Sequence, residues 1–212
     1  MLNKDTTSEK ILNAAESLFA AHGIGTVSLR KIVAQAQVNI ASVNYHFGSK
    51  DELIKEVFRR RLREVNSERM RLLEKLRLEY NNGPIELREV LRALLVPALT
   101  LGQNKNQGRN FFRLASRAHS ETNPVVQEVL YQELHSVIEE FLEEIKKSTL
   151  HLSEKERAAR MAFVAGGMFK AALIPMQEMF IHRFFGGDLK IEQITEMLID
   201  FCEGGLNAKS SL

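Results

Sequence analysis

Residues 28–50, SLRKIVAQAQVNIASVNYHFGSK, decide how this chain is read. They resolve into two short helical patterns with a tight connection, followed at once by the start of a third helix. Ser28 is placed to cap the first helix, because a hydroxyl at the N-cap accepts from an orphan amide of the first turn. Leu29, Ile32 and Val33 then recur at helical spacing, with Arg30 and Lys31 off that face. Ala36 to Asn39 forms the connection, and Val38 is the apolar plug between two helices packed at a steep angle. Asn39 caps the next helix, in which Val43 and Phe47, four apart, face inward. Ile40, Ala41, Ser42, Asn44, Tyr45 and His46 are left on or near the outer side. Gly48 fits a helix C-terminus with positive φ. Ser49 and Glu52 form an S-x-x-E capping box that starts the third helix.

A short helix whose outer side carries hydrogen-bonding and aromatic groups is what major-groove readout requires. The bland alternative is a small bundle with a solvated polar side. The residue types favour nucleic acid, since Ser42, Asn44, Tyr45 and His46 suit phosphates or base edges, and Lys50 sits at an anion-attracting helix N-terminus. The expected assignment places Ile40, Ala41, Ser42 and Asn44 against bases. Tyr45, His46 and Lys50 hold phosphates together with Ser28 and Arg30, and Asn39 stands at the mouth of the reading helix. An asparagine at position 44 matches the N6/N7 edge of adenine.

The segment VSLRKIVAQAQVNIASVNYHFGSKDEL resembles the signature of TetR-type transcriptional regulators. Ile32, Val38, Ser42, His46, Phe47, Ser49, Lys50 and Leu53 carry the likeness. It extends back through Ile11, Ala14, Ala15, Leu18, Phe19, His22, Gly23 and Thr26. Three positions depart from the pattern. Gln37 stands where a turn glycine is usual, Asn39 replaces a serine, and Asn44 replaces a tyrosine or leucine on the reading face. The V-N-Y-H-F-G-S-K variant is similar to a branch that includes fatty-acid-responsive regulators. The resemblance implies an all-α protein of about nine helices, with a helix-turn-helix head over residues 1–50 and a ligand-binding and dimerisation body over 51–212.

Composition sets outer bounds. With 212 residues, 44% of them hydrophobic, the chain can bury a sizeable core. Its single cysteine, Cys202, excludes an intramolecular disulfide, falls in an apolar helical pattern and suits a cytoplasmic location. The polar start MLNKDTTSEK has no apolar signal core, and the apolar run near 161–176 is broken by Lys170 and Pro175, so no membrane anchor is expected. A net charge of +2 says little about partners, but its distribution says more. Residues 1–63 hold ten Lys/Arg against six Asp/Glu, and the remainder holds nineteen against twenty-one. A basic head on an acidic body suits a protein that meets a polyanion with one end.

Helical periodicity continues along the chain. The first helix is expected from Thr7 to Ala21, and the helix starting at Ser49 is expected to run to Asn81-Asn82-Gly83. Its cluster Arg59, Arg60, Arg61 and Arg63 reads as a solvated or interdomain face. Pro84 suits the first turn of the next helix, which Pro97 should kink or break. Residues 102–108 read as a loop, 109–120 as a short helix, and Pro124 opens another. Ser153 and Glu156 form a second capping box, starting a helix that runs towards Phe185 with a kink at Pro175. The final helix begins near Ile191 and is expected to stop at Gly204-Gly205.

The resemblance further implies a homodimer built on the last two helices, with Phe163, Gly167, Met168, Met197 and Phe201 at the interface. Ordinary core packing is the competing reading of these residues. The resemblance also implies an effector pocket among the middle helices, with Leu91, Leu95, Phe111, Phe112, Leu114, Met161 and Met176 as lining candidates. Arg109, Arg113 and Arg117 form one basic stripe, either a solvated face or a clamp in which Arg113 and Arg117 hold an anionic head group. No enzyme signature is present. The six histidines (22, 46, 119, 135, 151 and 182) make no H-E-x-x-H, no cysteine pair supports zinc, and there is no G-x-S-x-G or phosphate loop. No cofactor or metal is expected. The partners expected are duplex DNA, a second copy of the chain and a small-molecule effector, acyl or apolar-anionic in character, that releases a repressor from a palindromic operator. The competing class is a helical protein-interaction module.

Overall fold

The computed structural model describes residues 6–103, 107–120, 123–173 and 189–210. Among these residues every regular element is helical, in agreement with the all-α expectation. The elements are α1 (Thr7–His22), α2 (Leu29–Ala36), α3 (Ile40–Phe47), α4 (Lys50–Glu79), α5 (Leu87–Gln103), α6 (Gln107–Ser120), α7 (Pro124–Ser148), α8 (Glu154–Leu173) and α9 (Ile191–Asn207). None of them is long and apolar enough to cross a membrane.

The chain condenses into two compact units. One takes α1, α2, α3, α4 as far as Glu64, α6, and α7 as far as Leu134. The other takes α4 from Val65, α5, α7 from His135, α8 and α9. In the first unit α1 packs against α2, α3 and α6. Ile11, Ala15 and Phe19 of α1 are buried at helical spacing, as are Ile32 of α2, Val43 of α3, and Leu53, Val57 and Phe58 of α4. Phe58 meets Phe111 of α6 edge-to-face, with ring centroids 6.0 Å apart. Burial of each such ring stabilises the unit by roughly 1.5–3 kcal/mol.

In the second unit α5 packs on α9 and α8, and α8 packs on α9. Leu91, Leu95 and Leu99 give α5 a buried stripe, matched by Ile194, Leu198, Ile199, Cys202 and Leu206 of α9. A Cβ on Gly167 would stand 3.0 Å from Leu198 Cδ1, so glycine there permits the close approach of α8 to α9. Pro97 lies inside α5 without ending it.

Several boundaries fall away from where the sequence alone places them. Helix α5 begins at Leu87 rather than at Pro84. Ile85 is buried and its carbonyl accepts from Ser148 Oγ at 3.0 Å, so the chain is tied down before the helix starts. Helix α9 runs through Gly204 and Gly205 to Asn207 instead of stopping at the pair. Leu206 is buried just beyond them, and tertiary burial of that kind outweighs the roughly 1 kcal/mol that each glycine costs a helix relative to alanine. At the end of α4, Asn81 and Asn82 adopt φ of 51° and 58°, left-handed values that asparagine tolerates better than most residues. The expected kink at Pro175 lies outside the described residues.

Candidate nucleic-acid interface

The head is a series of short helices, each capped by its own sequence. Thr6 and Glu9 form a reciprocal capping box on α1, with backbone-to-side-chain distances of 3.1 and 3.2 Å. Ser28 Oγ accepts from the Lys31 amide at 3.4 Å to open α2. Asn39 Oδ1 accepts from the Ala41 amide at 2.9 Å to open α3, leaving the Asn39 side-chain amide as a donor. Ser49 Oγ accepts from the Glu52 amide at 3.1 Å to open α4. The Glu52 carboxylate turns to Lys55, 3.2 Å away, so this last box is closed from one side only.

Gln37 answers the question its position raises. It adopts φ 55° and ψ 46°, the left-handed conformation of a helix C-cap. The Val38 amide donates back to the Val33 carbonyl at 3.1 Å, as in a Schellman motif. The turn keeps a glycine-type geometry and the glutamine bears the steric cost, about 1–2 kcal/mol. Gly48 ends α3 at φ 74°, and a Cβ there would meet nothing within 4 Å. Backbone conformation, not crowding, accounts for that glycine.

Helix α3 is anchored by one fully buried side chain, Val43, while Phe47 and Ser42 are half-buried. Ile40, Ala41, Asn44, Tyr45 and His46 are exposed, and Tyr45 retains 86% of its surface. Tyr45 and His46 meet edge-on with ring centroids 5.1 Å apart. Arg30 is exposed on α2, as is Lys31, which the DNA-contact assignment omits although it flanks the Ser28 cap. A signal for it exists in the sequence, because no acidic residue occurs from Ser17 to Lys50. Lys50 is half-buried, with Nζ donating to the Ile24 carbonyl at 2.9 Å. That bond ties the start of α4 to the turn after α1 and leaves two further donors on the ammonium.

The arginine cluster of α4, read from sequence as a solvated or interdomain face, is engaged with carboxylates and amides of α1 and α7. Glu16, only 2% exposed on α1, receives Arg61 Nε at 3.0 Å and Arg60 Nη2 at 2.7 Å. Arg60 Nη1 also donates to Asn13 at 2.8 Å. Arg63 binds Glu133 of α7 through two contacts of 3.1 Å, and Lys55 lies 3.0 Å from Glu128. Arg117 reaches from α6 to the Ala21 carbonyl at 3.4 Å. The head is thereby braced by α4, α6 and α7 within one unit.

The remaining candidates are dispersed. Leu91 and Leu95 are buried in the second unit, whereas Phe111, Phe112 and Leu114 are buried in the first. Arg109, Arg113 and Arg117 lie on the exposed side of α6, from which Arg117 reaches the Ala21 carbonyl. Met161 is half-buried, and Met176 lies outside the described residues. Phe163 is 72% exposed and Phe201 74%, with Met197 also exposed. Gly167 is half-buried against Leu198, and the Met168 sulfur accepts from Arg69 Nη2 at 3.6 Å. Both therefore make contacts inside the subunit.

A short capped helix with its polar side in solvent, on a braced three-helix head, defines the class of helix-turn-helix regulatory proteins. Residues 11–57 match bacterial regulatory proteins of the tetR family, and residues 92–205, more than half the chain, match the tetracyclin repressor-like C-terminal domain. The chain belongs to the TetR family. An HTH-type transcriptional repressor of Mycobacterium tuberculosis is 41% identical over 51 residues, which span 24% of this chain and 27% of that relative's own length. The fold is shared with a tetR-family protein from Shewanella sp. PV-4 (TM-score 0.67, 19% identity, 94% and 97% of the two chains). It is also shared with the fatty acid degradation regulator FadR from Bacillus halodurans (TM-score 0.61, 16% identity, 98% and 100%).

Proposed function

We propose that this protein is a homodimeric transcriptional repressor that reads a two-fold operator with α3 and is released by a small-molecule effector. The observation that carries the reading is the exposed polar side of α3, set on a single buried anchor in a stretch free of acidic residues. Asn44, Ser42, Ala41 and Ile40 face base edges. Tyr45, His46, Arg30, Lys31 and Ser28 hold phosphates, which fix register without reading sequence. The exposed apolar side chains Phe163, Met197 and Phe201 meet their copies across the two-fold axis, which sets two reading helices about one DNA turn apart, roughly 34–36 Å.

Helix α4 starts at the edge of the head and extends into the second unit, where an effector acts. The effector releases DNA by binding the non-operator conformation more tightly than the operator-bound one. Repressor action is supported by the name of the mycobacterial relative.

Footprinting on the DNA upstream of its own gene tests the reading. A protected, roughly palindromic site whose affinity falls steeply with salt is expected, because bound phosphates release counterions. Absence of any protected site, or salt-independent binding, would sink it.

A further inference from the structure

Three buried arginines stand in the described residues, and two of them have their charge answered. Arg61 faces the Glu16 carboxylate. Arg157 donates to the Thr149 and Leu152 carbonyls and to Thr149 Oγ1, at the negative end of α7. Arg69 of α4 is different. It is 6% exposed, and its partners are the Leu94 carbonyl at 2.8 Å from Nε, Asn66 Oδ1 at 3.2 Å from Nη1, and the Met168 sulfur at 3.6 Å from Nη2. No carboxylate among the described residues pairs with it. A thioether is a weak acceptor on a flexible side chain, so the Nη2 corner is the part of the fork most easily given to another group.

A buried cation with no carboxylate partner among the described residues is a heavy cost for a fold to carry, and replacing such a group with an apolar one is often neutral or stabilising. Burial pushes the Arg69 guanidinium down to about 10, and no carboxylate among the described residues opposes it. Its surroundings are apolar. Val65 and Leu73 are buried one turn to either side on α4, and Leu91 and Leu95 flank the carbonyl it holds on α5. That carbonyl lies in the turn of α5 that precedes Pro97. Arg69 thus joins α4, that turn of α5, and α8 at one point inside the second unit.

We propose that Arg69 is the anion-recognising residue of the effector site, taking the carboxylate or phosphate of a small, otherwise apolar molecule. The proposal rests on the reading of the protein as an effector-controlled regulator. A bidentate anion answers the buried charge and displaces Met168 from the fork. Because Arg69 sits on the helix that begins at the reading head, the anion acts directly on α4.

The test is calorimetric titration and thermal unfolding of the full-length, delipidated protein with three probes of one chain length: decanoate, decyl phosphate and decan-1-ol. At least one anionic probe is expected to bind the wild type tenfold or more tightly than decanol, and to raise its Tm. Whichever anion binds names the head group. Arg69→Met should bring that anion down to the level of decanol while the ligand-free Tm holds or rises. If Arg69→Met does not fold, Arg69→Lys serves, with weaker anion binding and unaltered decanol binding expected. The proposal is overturned if no anion outbinds decanol, or if the preference survives both variants. Wild-type footprinting separates the two levels: a protected operator with no anion preference removes this inference alone, and no operator removes the regulator reading beneath it.

Discussion

Helices α3 and α9 both leave large side chains in solvent, but the chemistry exposed is opposite. On α3 the exposed groups are Asn44, Tyr45 and His46, which hydrogen-bond to water as readily as to a partner. On α9 they are Met197 and Phe201, with Phe163 on α8, and water offers these nothing. Exposed polar groups need no explanation on stability grounds, whereas several large apolar groups on packed neighbouring helices mark a contact surface. The polar face gains its meaning from charge and shape, and the apolar face gains it from area. A dimeric DNA reader needs both, one to choose the sequence and one to set the spacing.

The comparison breaks most sharply at the apolar face. Phe201→Lys should leave the monomer folded, abolish the dimer in sedimentation, and weaken operator binding by about 100-fold or more through lost avidity. An intact dimer with full affinity would move the interface elsewhere. At the polar face the anchor matters more for stability than the readers do. Val43→Ala should cost about 2–3 kcal/mol in urea unfolding, because the only fully buried side chain of α3 leaves a cavity. Asn44→Ala should leave stability unchanged and relax preference at one base pair by about 1–3 kcal/mol in competition binding. Equal loss on every sequence would reassign Asn44 to backbone contact.

Smaller effects sharpen the local argument. Gln37→Gly should stabilise the head by up to about 1 kcal/mol, since relief of a left-handed glutamine is partly offset by the freer unfolded chain. Cys202 is the least conspicuous. Burial pushes its thiol up from 9.0 to about 11, so the native protein should react with a thiol reagent only as fast as it unfolds. A raised thiol pKa stabilises the fold fully below pH 9 and loses that contribution as pH rises through 11. Thermal unfolding across that window in wild type and Cys202→Ala measures it.

Much of the candidate interface was legible because its signals are local. Ser28, Asn39 and Ser49 were readable as caps and each accepts the amide its position requires. The positive φ of Gly48 follows from the same logic. What the sequence hid were roles defined at a distance. Arg59, Arg60, Arg61 and Arg63 are chemically equivalent in a charged run. Only the packing of α1 and α7 against α4 sends Arg60 and Arg61 to Glu16 and Arg63 to Glu133. Gly204 and Gly205 looked like a stop, and the burial of Leu206 carries the helix past them.

Helix periods, caps and turn residues are set by neighbours a few positions apart, so the sequence by itself determined the all-α architecture and the polar outer side of α3. Which charges lie inside is set by residues scores of positions apart. Glu16 and Arg61 are separated by 45 residues, and Arg69 and Leu94 by 25. Desolvation depends on everything that surrounds a group once the chain has condensed, and only the tertiary structure could set Arg61 beside a carboxylate and leave Arg69 without one among the described residues.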